Sequence, residues 1–338
     1  MNTNRLIEKL DKVSREVDFS GVIYAKQGTE AVVNESYGYA NRSDQLPNNS
    51  MTRFGIASGC KLWTAIAVSQ LVEKGQVTFQ TKLKDCLPIA FPYFDPCITI
   101  HHLLTHTSGI PDYFDEEVMD DFEELWVKLP MYHMKRLHDF LPLFQQKKMM
   151  FQAGEKFYYN NAGYILLGLL VEQLSGERFT DYVERNILHA SKMDRSGYFS
   201  LDQLPENTAT GYIDEKDGTW RTNIYSIPKV GGADGGAFIA AEDMAKLWEA
   251  LVSFKLISEE TTKTLLHPHA TAGDEKHYGY GIWLENKNQT VYKYHVMGYD
   301  PGVCFHSGYY PDTGIKIVVT SNKESGAYPL VKALEKEL

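Results

Sequence analysis

Segments with the pattern of β-strands lie at both ends of this 338-residue chain, and helical patterns fill the region between them. Near the N-terminus, residues 20–25 and 31–37 alternate in polarity around a turn at Gln27-Gly28-Thr29, which predicts a β-hairpin. From about residue 208 the pattern returns to strands, predicted at 278–284, 290–296, 303–310 and 315–320. Helices are predicted beside them at 241–251 and 329–338. This order predicts an α/β (α+β) fold with one antiparallel sheet, built from N- and C-terminal segments and flanked by helices.

A mostly helical lobe is expected between the two parts of that sheet. Residues 58–74 predict a helix that is apolar almost all round, so it should be buried in the middle of the molecule. Residues 164–175 predict a second apolar helix, which Gly176 ends. We therefore expect a single unit over residues 1–338, with a sheet lobe at about 1–55 and 208–338 and a helical lobe at about 58–207.

Charge and cysteine content exclude several classes of partner and cofactor. The formal net charge is −10, so the chain is a poor candidate for binding the phosphate backbone of nucleic acids. The four cysteines form no CxxC pair, which favours free thiols over a zinc site or a disulfide scaffold. His101, His102 and His106 lack an acidic partner at ligand spacing, so a structural role is favoured. No metal and no organic cofactor is expected.

The N-terminus and the apolar segments bear on where the protein works. Residues 1–6 lack the charged and apolar regions of a signal peptide, and the apolar stretches at 65–68 and 164–171 are far shorter than the roughly 20 residues of a membrane helix. We therefore predict a cytoplasmic protein without a membrane span. A mature form of an exported protein would show the same sequence features. The sequence gives no indication of the oligomeric state.

The start of the predicted central helix, Ser58-Gly59-Cys60-Lys61, is an S-x-x-K motif. Residues three apart share one face of a helix, so the lysine amine can reach the serine hydroxyl. Burial disfavours the charged form of a lysine, and a neutral amine can then accept the serine proton. The free N–H groups at a helix start also stabilise a developing oxyanion. A plain helix N-cap is the alternative interpretation of Ser58.

Two further patterns qualify that motif. A second S-x-x-K, Ser226 to Lys229, runs into a glycine-rich loop, so no helix continues from it and we set it aside. A tyrosine near a lysine can pass a proton to a leaving group, and an asparagine two positions on can bind both the lysine and a substrate amide. Such a Y-x-N pattern occurs at Tyr159-Asn160-Asn161, but also at residues 39–41 and 158–160.

Four segments, in order along the chain, resemble the serine β-lactamase and penicillin-binding protein superfamily. The resemblance is to the branch of class C β-lactamases, D-alanyl-D-alanine carboxypeptidases, D-aminopeptidases and related esterases. It is carried by residues 54–61, 103–112, 159–168 and 232–251. The register of the third segment selects Tyr159 over Tyr158 and Tyr39. The resemblance implies that Ser58 is the nucleophile, that Lys61 and Tyr159 transfer protons, and that Asn161 contacts the substrate.

The family's third motif, K-T-G or H-x-G on an edge strand, fits less well. Its counterpart lies within residues 294–302, where His295 takes the first position if Met297 stands in place of glycine. If Gly298 keeps the glycine position, Val296 takes the first position instead, and side chains change face. We favour His295 as a substrate-binding residue and Gly298 as the source of the second oxyanion N–H group.

These residues imply a serine hydrolase that forms an acyl-enzyme on a small molecule or short peptide. The resemblance suggests D-amino-acid peptides, β-lactams or esters as substrates. A penicillin-binding or sensor-type relative without turnover, and a small-ester carboxylesterase, are the alternatives. The acidic run from Asp112 to Glu124 is interpreted as a solvated face or as a lid over the cleft.

Overall fold

The computed structural model describes residues 3–119 and 121–337, and leaves the side chain of Thr3 undescribed. Its strands are β1 Gly21–Gln27, β2 Glu30–Tyr37, β3 Tyr39–Asn41, β4 Leu46–Pro47, β5 Arg53–Gly55, β6 Tyr212–Asp214, β7 Trp220–Thr222, β8 Phe238–Ala240, β9 Ala270–Thr271, β10 Lys276–Tyr278, β11 Trp283–Lys287, β12 Thr290–Asp300, β13 Val303–Tyr310 and β14 Ile315–Ser321. Its α-helices are α1 Thr3–Glu16, α2 Lys61–Glu73, α3 Leu83–Cys86, α4 Ile100–Leu104, α5 Asn161–Ser175, α6 Phe179–Val183, α7 Ala241–Val252, α8 Glu259–Leu265 and α9 Ala327–Glu335.

An eight-stranded sheet, in the order β2-β1-β14-β13-β12-β11-β10-β9, forms the centre of the fold. All of its neighbouring strands run antiparallel, and β1 pairs with β14, so the N-terminal hairpin joins the C-terminal strands. The predicted fold class is confirmed. The predicted hairpin and the strands at 303–310 and 315–320 are also found. The predicted helix at 329–338 is found as α9, although Leu338 lies outside the described residues.

The two faces of the sheet are covered by different helices. One face packs α1 and α9 over alternate side chains such as Ile23, Ile317 and Val319. The other face packs α2 and α7 over the intervening residues, such as Val22 and Val318. Side chains alternate between the faces of a strand, which explains why neighbouring residues of β1 and β14 belong to separate cores. Helix α2 is buried along nearly its whole length, as its apolar sequence predicts.

The predicted strand at 278–284 is wrong as a continuous element. Strand β10 ends at Tyr278 and β11 begins at Trp283, with a turn between them. Gly281 in that turn has a φ of +70°, and a Cβ atom on it would lie 2.7 Å from the Lys61 carbonyl oxygen. The interruption therefore lets this end of the sheet approach the start of α2.

The middle of the chain is helical but broken into short pieces. Three 3₁₀ turns, at Phe122–Trp126, Met131–His133 and Leu137–Leu143, lie between α4 and α5, and a π-helical turn at Glu184–Leu188 follows α6. The long member of this group, α5, packs against α2 in the main core. The division into a sheet lobe and a helical lobe at the boundaries given above stays a prediction.

Candidate active site

Ser58 lies on a short 3₁₀ turn, Ala57–Cys60, that continues directly into α2. Ala57 just before it has a φ of 43°, in the left-handed region that non-glycine residues rarely adopt. Lys61 begins α2, and its amine lies 2.8 Å from the Ser58 hydroxyl oxygen. Lys61 is 1% exposed, so this contact is shielded from bulk water. The two residues of the S-x-x-K motif therefore make the contact that their spacing predicts.

The Lys61 amine has two further partners, both of which are oxygen atoms that only accept hydrogen bonds. The side-chain carbonyl of Asn161 lies 2.7 Å away, and the backbone carbonyl of Asp234 lies 2.6 Å away. A neutral lysine amine carries two hydrogens and one lone pair. The two acceptors can take both hydrogens, and the lone pair then faces the Ser58 hydroxyl. The surroundings of Lys61 are arranged for an amine that removes the Ser58 proton.

Tyr159 lies beside this pair. The Lys61 amine is 5.0 Å from the centre of the Tyr159 ring. Burial, and next the negative charge of Glu116, hold the pKa of Tyr159 well above its ordinary value, while an interaction with the Ser58 side chain acts in the opposite direction. The adjacent Tyr158 instead donates to the carboxylate of Asp115, 2.8 Å away. The structure thus brings Tyr159, and not Tyr158, to Ser58 and Lys61.

Two buried side chains that the sequence did not single out for the site hold Tyr159 and Asn161 in place. The ring of His106 packs at 4.3 Å between centroids against Tyr159 and accepts a hydrogen bond at Nδ1 from the backbone of Asn160. The carboxylate of Asp112 accepts from the backbone N–H groups of Asn161, at 2.6 Å, and of Ala162 at the start of α5, and from the N–H of the adjacent Tyr113.

Asp112 therefore caps the helix that carries Asn161. Burial raises the pKa of Asp112 to about 7, and the N–H groups that it accepts from act in the opposite direction. The prediction that Asp112 belongs to a solvated face is wrong. Glu116, Asp121 and Glu123 of the same acidic run line the cavity in front of Ser58.

Strand β12 passes the nucleophile at Gly298. A Cβ atom at this position would lie 2.1 Å from the carbonyl oxygen of Ile56 and 2.8 Å from the backbone nitrogen of Ser58. No side chain fits in that space, so glycine is required for this close approach. Gly298 therefore keeps the glycine position of the third motif.

This register corrects the prediction for His295. Val296 lies two residues before Gly298, so both are on the same face of β12, whereas His295 lies on the opposite face. There the His295 ring packs against Trp283, and Nε2 is 3.5 Å from a carboxylate oxygen of Glu285. The residue in the first position of the motif is therefore Val296, which is apolar and buried. His295 does not line the cavity that contains Ser58.

The same alternation corrects the prediction that Gly298 supplies the second oxyanion N–H group. Strands β12 and β13 are joined by the two residues Pro301 and Gly302, so Asp300 and Val303 form the pair that closes the hairpin. In an antiparallel ladder, such hydrogen-bonded pairs alternate with pairs whose N–H groups point away from the partner strand. Gly298 therefore points its N–H group towards β13, and Tyr299 points its N–H group towards the open edge.

A cavity of about 520 Å³ opens in front of Ser58. Much of its wall is apolar, and its charged side chains are largely acidic. Among the described residues, no group of three or more His, Cys, Asp or Glu side chains is arranged to hold a metal ion. His101 instead contacts the hydroxyl of Tyr280 at 2.9 Å. The cysteines are free, and burial raises the pKa of the Cys60 thiol to about 12, which fits a packing role.

A sequence model of the Beta-lactamase family matches residues 4–336, which is nearly the whole chain. The chain belongs to the β-lactamase family. Members of this family are serine hydrolases, which agrees with the activity that the sequence motifs predict for this β-lactamase-family protein. None of its described helices is long and apolar enough to cross a membrane. Its location in the cell stays a prediction.

Individual relatives agree with this assignment. The fold matches that of a penicillin binding protein from Bacillus halodurans with a TM-score of 0.94 and 53% identity, covering 97% of this chain and 100% of that one. The sequence is 28% identical to the putative penicillin-binding protein PbpX of Bacillus subtilis (strain 168), covering 82% of this chain and 65% of that protein. It is 24% identical to the teichoic acid D-alanine hydrolase of Staphylococcus aureus, covering 82% and 66%. The chain thus spans just under two thirds of the length of these two curated relatives.

Proposed function

We propose that this protein cleaves an ester or amide bond through an acyl-enzyme on Ser58. The observation that carries the proposal is the position of the Lys61 amine, 2.8 Å from the Ser58 hydroxyl with two acceptor oxygens on its other sides. Lys61, with Tyr159 beside it, takes the hydroxyl proton while the serine oxygen attacks the carbonyl carbon. The carbonyl π electrons move onto its oxygen, which becomes the oxyanion.

The oxyanion lies between two backbone N–H groups in this mechanism. Ser58 supplies one of them, and Tyr299, on the open edge of β12, supplies the other. When the tetrahedral intermediate collapses, the bond to the leaving group breaks, and the proton held by Lys61 and Tyr159 passes to that group. Water then attacks the acyl-enzyme with the same residues as base, which releases the acid and regenerates Ser58.

Candidate substrates are D-amino-acid peptides or amides, β-lactams and small esters. The named activity of the Staphylococcus aureus relative, hydrolysis of D-alanine from teichoic acid, supports a D-alanyl ester or amide. The penicillin-binding relatives support β-lactams. A cavity of about 520 Å³ next to Ser58 has room for a small acyl group and part of its leaving group.

The proposal is tested with p-nitrophenyl acetate, whose acyl group is small and uncharged. We expect a burst of one equivalent of p-nitrophenol, a mass increase of one acetyl group on the intact protein, and continued turnover. The Ser58→Ala variant should show neither the burst nor the adduct. An adduct that persists in Ser58→Ala, or no adduct on the wild type, contradicts the assignment of Ser58.

The same experiment separates an enzyme from a sensor that binds without turnover. The apolar Val296 in the first position of the third motif is the feature that favours a sensor. A sensor would stop after one equivalent, whereas a hydrolase continues at a steady rate. Incubation with benzylpenicillin, again read by intact mass, shows whether a β-lactam also acylates Ser58.

A further inference from the structure

The charged side chains around the cavity are strongly unbalanced. Six carboxylates line it against a single guanidinium among the described residues, that of Arg221. The carboxylates belong to Glu116, Asp121, Glu123, Asp234, Asp300 and Glu324. A low-dielectric cleft lined by one sign of charge attracts ligands of the opposite sign.

The cations near Ser58 are already engaged. Arg221 is exposed and forms ion pairs with Glu123 and with Glu215, the latter at 2.9 Å. The Lys61 amine is surrounded by the Ser58 hydroxyl oxygen and two carbonyl oxygens, which leaves none of its N–H groups for a further acceptor. The Lys61 amine therefore cannot take up a substrate carboxylate without losing a partner, and the charge of Arg221 is already balanced by two carboxylates. Val296, on the face of β12 that meets the nucleophile, adds no charge.

Asp300 stands out among the carboxylates. Its side chain lines the cavity, and within the described part of the chain it has no hydrogen bond and no ion pair. Its charged neighbours are Asp234, Lys61 and Glu116. Burial, and next the charge of Asp234, raise the pKa of Asp300 to about 8. Asp300 is half-buried in the cavity wall, where a charged carboxyl group without a partner is costly, and a bound cation would remove that cost.

The position of Asp300 relates it to the reacting carbonyl. Asp300 lies two residues after Gly298 on the same face of β12, which is about 7 Å along the strand. Tyr299, whose N–H group is placed at the oxyanion, lies between them. The Asp300 carboxylate, one residue beyond Tyr299, therefore reaches a group attached one or two bonds from the substrate's carbonyl carbon.

We propose that the acyl group of the substrate carries a protonated amine close to its carbonyl, and that Asp300 is the residue that selects it. This inference rests on the proposed acyl-enzyme function and names its substrate class: aminoacyl esters or amides with a free amine. Acyl donors with a carboxylate near the scissile bond are disfavoured, because they meet Asp300, Asp234 and Glu116 in a cavity whose one described cationic side chain, Arg221, is already paired. Benzylpenicillin, which carries such a carboxylate, is accordingly a poor acylating agent.

Three matched p-nitroanilides of D-alanine test the charge of the acyl group. The first has a free amine, the second an N-acetyl group and the third an N-succinyl group, so the probes are cationic, neutral and anionic. We expect kcat/KM to fall in that order, by about tenfold or more from the cationic to the neutral probe. Release of methanol from D-alanine methyl ester shows whether esters are accepted as well as amides.

The role of Asp300 is tested with Asp300→Asn, which removes the charge and keeps the size. We expect the ratio of kcat/KM for the cationic probe to kcat/KM for the neutral probe to fall about tenfold. The fall should come from a lower kcat/KM for the cationic probe. Asp312→Asn is the matched control, because Asp312 is exposed in the turn between β13 and β14 and the same chemical substitution is made there, away from the cavity. This control should keep the wild-type preference.

The outcomes separate the two proposals. If p-nitrophenyl acetate acylates Ser58 but the wild type prefers the neutral or the anionic anilide, the inference about Asp300 is overturned and the acyl-enzyme stands. An equal fall for all probes in Asp300→Asn also overturns it. If no probe acylates Ser58, the proposed function itself fails. The wild-type comparison needs no variant, so it decides the question even if Asp300→Asn does not fold.

Discussion

The side-chain carbonyl of Asn161 accepts a hydrogen bond from the Lys61 amine over 2.7 Å, although the two residues lie 100 positions apart. Helix α2 carries the lysine and helix α5 carries the asparagine, and the two helices pack in the same core. The contact therefore couples the packing of the fold to the orientation of the proposed base.

Loss of this contact should lower catalysis more than stability. In Asn161→Ala one hydrogen of the Lys61 amine has no acceptor, and the amine can turn away from Ser58. We expect the acylation rate to fall about 10- to 100-fold, since a hydrogen bond to a charged group contributes about 1.5–3 kcal/mol. Burst kinetics with p-nitrophenyl acetate measure this rate.

The neighbouring Asn160 provides the control. Its side chain caps α5 by accepting from the N–H of Gly163 at 2.7 Å and does not contact Lys61. Asn160→Ala should therefore lower the free energy of unfolding by about 0.5–2 kcal/mol, with a smaller effect on acylation. The opposite ranking of the two variants would show that Asn161 acts through the fold alone.

Replacement of Lys61 by arginine separates the charge of this residue from its function as a base. A guanidinium keeps the positive charge but stays protonated, so it cannot accept the Ser58 proton. We expect Lys61→Arg to acylate about 10²–10⁴ times more slowly than the wild type. Lys229→Arg, in the second S-x-x-K, is the matched control, because Lys229 forms an ion pair with Asp202 at 2.6 Å instead of contacting a nucleophile. Similar losses in both variants would argue against Lys61 as the base.

Gly298 should tolerate no side chain. In Gly298→Ala the new methyl group meets the backbone of Ile56, which cannot move without displacing Ser58. We expect kcat/KM to fall about 10²–10³-fold, the usual cost of losing one oxyanion donor. Gly308→Ala on β13 is the control, because its methyl group would find its nearest neighbours at 3.4 Å, an ordinary contact. Near-normal activity of Gly298→Ala would mean that β12 does not form the wall of the site.

Local patterns predicted the sheet and the Ser58–Lys61 contact correctly, because both depend on short-range chemistry. The alternation and the turn of the N-terminal hairpin are visible within about twenty residues, and the Ser58–Lys61 contact follows from helical spacing. The choice between His295 and Val296 depends instead on which face of β12 meets Ile56. That is a long-range contact with no local signal beyond the retained Gly298.

The supporting carboxylates were harder to predict for the same reason. Asp112, Asp234 and Asp300 come from three distant segments, and nothing in their spacing indicates that they surround Lys61. Asp112 looked like part of a solvated acidic run, but it caps α5 inside the protein. The sequence does contain one usable signal, the turn residues Pro301-Gly302 directly after Asp300, which fix the end of β12.

Asp300 should make the protein less stable as the pH rises. Its pKa of about 8 in the folded protein lies well above the value of about 4 in an unfolded chain. The stability that the protonated Asp300 side chain contributes is therefore fully present below about pH 4 and lost as the pH rises through about 8. Asp300→Asn keeps a neutral side chain at every pH, so it should lose less stability between pH 5 and pH 8.

At pH 8 we expect the free energy of unfolding of Asp300→Asn to exceed that of the wild type by about 1–3 kcal/mol. Solvent in the cavity screens the carboxyl group, which limits this difference. Urea unfolding at pH 5 and pH 8 measures the difference, with Asp312→Asn as the control that should follow the wild type. Asp112, with a pKa of about 7, titrates in both proteins, so part of the pH dependence remains in the variant.

A variant that is less stable than the wild type at both pH values would show that Asp300 has a partner in the folded protein. A variant that is more stable but has lost its preference for a cationic acyl group would show that the carboxylate is kept for binding at the expense of stability.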